Sequence, residues 1–172
     1  MSFVLWLTGL PCSGKSTIAK LLKKNISNLE VLDGDELLKH LELDDWSRDS
    51  RNKYSEKVAN ITKSFLENSN PVCVAKISPF KEMRTTARKI LKDFEFFEIY
   101  VECSLEECEK RDVKGMYKMA KNGKLDNFCG VNETYDIPKQ PDLILNTEKF
   151  SVDDSIKTLL NFLKNKNIQY SS

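Results

Sequence analysis

GLPCSGKST, residues 9–17, follows directly on the apolar run FVLWL and opens into STIAKLLKKNI, residues 16–26. It fits the pattern G-x-x-x-x-G-K-[ST] without a mismatch. In that pattern glycines let backbone N–H groups close around phosphate oxygens, the lysine neutralises β/γ charge, and the hydroxyl after it reaches Mg²⁺. Ile18, Leu21, Leu22 and Ile26 recur at helical spacing, so strand, loop and helix arrive in the required order, with the helix start facing the anion. A strand-to-helix turn that binds nothing would need none of this context. Gly9, Cys12, Ser13, Gly14, Lys15, Ser16 and Thr17 are therefore the candidate contacts to ATP phosphates, with Ser16 also a ligand of Mg²⁺.

Further apolar runs, LEVL, VCVAKI, FEIYV and LILN, alternate with segments of helical periodicity. Helices are predicted near Lys15 to Asn25, Asp35 to Leu41, Asp49 to Glu67, Lys81 to Lys92, Leu105 to Arg111 and Val152 to Lys164. The pattern specifies an α/β fold, a five-stranded parallel sheet with helices on both faces, with ligands at the carboxyl ends of the strands. The 172 residues suit one domain, 1–172. A net charge of +1 gives no reason to expect nucleic acid or an anionic membrane as partner. The opening MSFVLWLTGL is neither a secretion signal nor a span, which leads to the expectation of a cytoplasmic protein. Five cysteines include no C-x-x-C pair, so reduced thiols are expected.

Two departures from simple alternation carry chemistry. LDGD, residues 32–35, places two carboxylates after the second strand, and the third strand ends without an acid to hold a metal. Asp33 is the candidate for metal-shell and proton-handling roles, and Asp35 for contact with the acceptor of a phosphoryl group. The third strand closes on Ile77 and Ser78, whose position at a carboxyl end turns Ser78 toward the crevice. His40, without evident partners, reads as a surface residue. Residues 113–135 hold four lysines and three glycines in a connection too long for an ordinary turn, which reads as a basic lid.

Taken together the residues resemble adenylylsulfate kinase, a P-loop kinase family. The resemblance spans most of the chain: GLPCSGKST, the acids Asp33 and Asp35, Arg51, ISPF at residues 77–80, and the long ordered run from Arg111 through Lys114, Gly115, Tyr117 and Phe128 to Pro141. It implies a three-layer P-loop kinase fold, ATP and Mg²⁺ as cofactors, a small-molecule nucleotide acceptor phosphorylated at its 3′-hydroxyl, and a homodimer. It also implies an acceptor base held between aromatics, here Trp46 and Phe128, with Arg51, Ile77, Ser78 and Lys114 at acceptor positions. Arg111 and Thr147 fall near the ATP adenine. Catalytic candidates are Lys15, Asp33 and Ser78; the last matches a position described in the family as a phosphoserine, a step that direct in-line transfer does not need.

The acceptor half departs from the family's pattern. Leu38 stands for an arginine, Tyr54 for an asparagine, and a segment one residue shorter ends in Trp46 instead of phenylalanine. Losing a guanidinium removes charge-assisted hydrogen bonds worth about 1.5–3 kcal/mol each. These changes point to an altered acceptor, for which the family variant cytidine 5′-diphosphoramidate kinase, which serves capsule phosphoramidate synthesis, is a fit; adenylyl sulfate itself is the alternative. A sugar-acid or shikimate-type acceptor leaves Arg51 and Lys114 without a purpose. A non-catalytic ATP-binding scaffold leaves Asp33 and Asp35 without one.

Overall fold

The computed structural model describes residues 2–41 and 45–171. β1 (Phe3–Thr8) is buried along its whole length, as an apolar run flanked by helices on both faces must be. α1 (Lys15–Leu22), β2 (Glu30–Asp33), α2 (Gly34–Leu37), α3 (Arg48–Glu67), β3 (Val72–Ala75), α4 (Lys81–Ile90), β4 (Glu95–Glu102), α5 (Leu105–Arg111), α6 (Met116–Lys121), β5 (Leu143–Asn146) and α7 (Val152–Asn165) follow. The five strands are parallel in the order β2-β3-β1-β4-β5. The expected architecture is present.

Alternating side chains divide the core between the two faces. Leu5, Leu7, Cys73, Ile99 and Val101 meet α1 and α7 through Ile18, Leu22, Ile156, Leu159 and Leu163. Val4, Trp6, Val72 and Val74 meet α3 and α4 through Tyr54, Val58, Leu66, Ala87 and Leu91. Each such aliphatic side chain contributes about 1.5–3 kcal/mol on burial, well above what an exposed ion pair supplies. Since α1 leaves β1 on one face and α4 leaves β3 on the other, a crevice opens between the carboxyl ends of these neighbouring strands.

Element boundaries differ modestly from expectation. α1 stops at Leu22 rather than Asn25, and the helix expected over Asp35 to Leu41 is the short α2 followed by turns. β3 ends at Ala75, which leaves Lys76 and Ile77 beyond the paired strand. α6 was absent from the expected helices; Asp112 starts it by accepting hydrogen bonds from the N–H groups of Tyr117 and Lys118, at 3.1 and 3.2 Å. The shortened segment before Trp46 includes residues 42–44, which lie outside the described residues.

The segment 113–135 is packed down. Tyr117, Ala120 and Phe128 form a third apolar cluster with Cys103 and Cys108, against which Leu10 and Cys12 of the phosphate loop pack. Tyr117 also donates its hydroxyl to Pro11 O at 2.9 Å. All five cysteines are free and His40 is exposed. Among the described residues no helix is long and apolar enough to cross a membrane.

Candidate active site

The loop after β1 reaches α1 through Gly14, whose φ of +102° lies where side-chain-bearing residues are strained. A Cβ on Gly9 would collide with the carbonyl oxygen of Val101 and come within 2.8 Å of Ser13 Oγ, so only glycine fits there. Lys15 folds back over the loop and donates to Gly9 O at 2.8 Å, Leu10 O at 2.6 Å and Ser13 Oγ at 3.2 Å. Burial lowers its ammonium to about 8, and the carboxylates of Asp35 and Asp33 are among the charges pulling the other way. The lysine and both acids thus share one electrostatic neighbourhood across the crevice.

Arg111 and Thr147 close the other side of the loop. Arg111 donates to Thr147 O at 2.8 Å and Oγ1 at 3.2 Å, while Thr147 Oγ1 donates to Ser13 O at 2.7 Å. These two residues, expected near the adenine, therefore brace the phosphate loop through side chain and backbone. Cys12 sits half-buried at φ +64°, with burial raising its thiol above the ordinary range, so it is a loop residue and not a reactive thiolate.

At the end of β2, Asp33 is buried and caps α2, its Oδ1 accepting from Asp35 N at 3.0 Å. The exposed Asp35 accepts from Lys114 Nζ at 2.6 Å, tying the 113–135 segment to the acid turn. Ser16, at the start of α1, is half-buried and Thr17 exposed. The Ser16 hydroxyl and the second oxygen of Asp33 make no hydrogen bond to the described residues. Hard oxygen donors left uncommitted beside a phosphate loop fit Mg²⁺, which takes one or two protein ligands and completes its shell with phosphate and water.

The acceptor side holds Arg51, whose guanidinium lies 5.4 Å from the centre of the Trp46 ring. Arg51 also donates to Asn127 O and, at 3.5 Å, to Cys129 Sγ, on either side of Phe128. Trp46 is 53 % exposed, whereas Phe128 is buried edge-on against Tyr117. Arg51 thus links the two aromatics that the resemblance pairs. The Ile77 carbonyl accepts from Thr8 Oγ1 at 2.6 Å and holds the ends of β1 and β3 together.

One expectation needs correction, that for Ser78, and two residues of the acceptor half prove to be turned inward. Ser78 does not face the crevice: it is fully buried at φ +45°, and its Oγ accepts from Trp6 Nε1 at 3.0 Å, so the hydroxyl anchors the strand end beneath the site. Leu38 packs half-buried against the α3 side of the core, because an apolar side chain has more to gain there than beside a charged ligand. Tyr54 is buried too, and its hydroxyl is committed to Gly34 O at 2.7 Å.

Other residues went unrecognised in the sequence. Arg84, 4 % exposed, pairs with Glu98 and donates to the carbonyls of Ser78, at 2.8 Å, and Asp136, at 2.7 Å. Lys76 is buried beside Tyr54. A lysine ending the otherwise apolar VCVA run was the available signal. A cavity of about 820 Å³ lined by Phe3, Pro71, Lys164 and Tyr170 opens at the amino ends of the strands, away from all of these groups.

The family model for adenylylsulphate kinase matches residues 1–146. The adenylyl-sulfate kinase of Staphylococcus haemolyticus is 40% identical over 172 residues, covering 97% of this chain and 86% of that protein. The adenylyl-sulfate kinase of Bacillus velezensis is 40% identical over 169 residues, covering 95% and 86%. Among solved structures, the Mycobacterium tuberculosis APS kinase CysC in complex with AMPPNP and APS superposes with a TM-score of 0.86 at 35% identity, covering 95% of this chain and 98% of that one. A phosphate loop, paired acids beside it and a match of this extent agree: the chain belongs to the adenylylsulphate kinase family, phosphotransferases with an alcohol group as acceptor.

Proposed function

We propose that the chain transfers the γ-phosphoryl group of ATP to the 3′-hydroxyl of a nucleoside 5′-phosphoanhydride, with adenylyl sulfate as acceptor. The observation that carries this reading is the convergence of Lys15, Asp33 and Asp35 on one crevice, in a chain whose relatives are named adenylyl-sulfate kinases. Lys15 exchanges its loop carbonyls for β/γ-phosphate oxygens, and the loop N–H groups take the rest of the triphosphate. Asp33 orients the attacking hydroxyl and accepts its proton, while Asp35 and Lys114 position the acceptor. Ser16 and Asp33 are the residues that would hold Mg²⁺, which supplies charge neutralisation on the transferring group. The acceptor base stacks on Trp46, the face that Arg51 covers here.

A second acceptor, cytidine 5′-diphosphoramidate, is favoured by one specific observation. Leu38 and Tyr54, which replace an arginine and an asparagine of the family, are both turned into the fold, so the acceptor pocket is smaller in polar contacts and suits a different ligand. Initial-rate assays with ATP against both anhydrides, with ³¹P NMR locating the new phosphate, test the proposal. Transfer to a 3′-oxygen of either compound supports the reaction class and the preferred acceptor chooses between them. No transfer to either, or phosphate at another position, overturns it.

A further inference from the structure

Lys76 follows the last paired residue of β3 and stands on the sheet face that carries Tyr54, at the edge where the crevice opens. At 8 % exposure it is more than nine-tenths buried, and its ammonium lies 5.0 Å from the centre of the Tyr54 ring. Among the described residues no acceptor takes a hydrogen bond from Nζ and no carboxylate pairs with it. Its stem passes beneath the acid turn, since a Cβ on Gly34, between Asp33 and Asp35, would lie 3.3 Å from Lys76 Cγ. Burial, and then the positive charge of Arg51, push the ammonium down to about 7, with Cys129 alone opposing. A largely buried cation with a second cation near it and, among the described residues, no carboxylate partner is a costly arrangement unless an anion enters between them.

The other half of the argument is a charge that has moved. The family's acceptor arginine is Leu38 here, and Leu38 lies against the core. One cation is missing after α2, and one stands at the end of β3 with no acidic partner among the described residues.

We infer that Lys76 is an acceptor-specificity residue of this chain: its ammonium, with Arg51, pairs with the anionic 5′-phosphoanhydride of the nucleotide acceptor. The inference rests on the proposed function and names the group that receives the acceptor's charge. A lysine that merely filled space under Tyr54 would leave acceptor kinetics untouched when replaced by an apolar side chain of similar length.

The test is steady-state kinetics of wild type and Lys76→Met with ATP and whichever of adenylyl sulfate or cytidine 5′-diphosphoramidate the wild type turns over. Loss of a charge-assisted contact should raise the acceptor KM by about ten- to a hundredfold, with the KM for ATP changed less than about twofold. The melting temperature should hold or rise, because the substitution removes a largely buried charge that no described carboxylate pairs with. Should the Met variant fail to fold, Lys76→Gln answers the same comparison. An unchanged acceptor KM in a folded variant overturns this inference and leaves the proposed function standing. Wild-type silence on every nucleoside anhydride overturns the proposed function and this inference together.

Discussion

Lys15 and Lys76 are both buried lysines at the carboxyl edge of the sheet, yet their surroundings differ. Lys15 has three oxygen acceptors, whereas Lys76 has a ring and a neighbouring guanidinium. Lys15→Ala should lower kcat/KM by at least about a hundredfold, the scale of a lost transition-state donor; near-normal rates would remove the phosphate loop from the mechanism. For Lys76 the measurable quantity is also the pH dependence of stability in the nucleotide-free protein. Its folded value of about 7 lies below the 10.5 of an unperturbed lysine, so between these limits the unfolded chain binds a proton that the folded one has released. Stability therefore rises with pH in that window, by up to about 1.4 kcal/mol per unit. The Cys129 thiol, which burial raises, does not change this sign below pH 9. Denaturant unfolding at pH 7 to 9 should show a shallower slope in Lys76→Met than in wild type; parallel curves would place the titration elsewhere.

Among the elements, α6 shows how little a surface ion pair weighs against a cap. The Lys114–Asp35 pair has both side chains more than 60 % exposed, a class worth about 0–1 kcal/mol. Lys114→Ala should therefore move stability by less than about 1 kcal/mol while raising the acceptor KM, and an unchanged KM would detach Lys114 from the acceptor. Asp112→Ala removes the acceptor of two N–H groups at the start of α6, a loss of about 1 kcal/mol. It should loosen Tyr117 from Pro11 and raise the KM for ATP as well, which nucleotide titration of the variant would detect. The strands and longer helices were legible because apolar runs and helical spacing persist over many residues. α6 was not, since its six residues give the periodicity too little length and its start depends on an acid outside the helix. The side chain of Ser78 was misread for a related reason: chain position places a residue at the sheet edge, but packing decides which way it turns.

At the scale of the molecule, the phosphate loop was fully legible and the contacts that hold it were not. Gly9, Gly14 and Lys15 sit in one short motif, while their supports, Tyr117 and Thr147, join the loop across separations of 106 and 134 residues. No local pattern encodes a pairing of that span. The same sheet order that centres β1 also surrounds it with strands that come later in the chain. This has a consequence for biosynthesis. The motif emerges from the ribosome before its supports and must wait, unbraced, until β5 and Thr147 have cleared the exit tunnel. On ribosomes arrested at successive lengths, ATP should begin to shield the nascent polypeptide from protease only after that point, so the phosphate loop becomes competent long after it has been made.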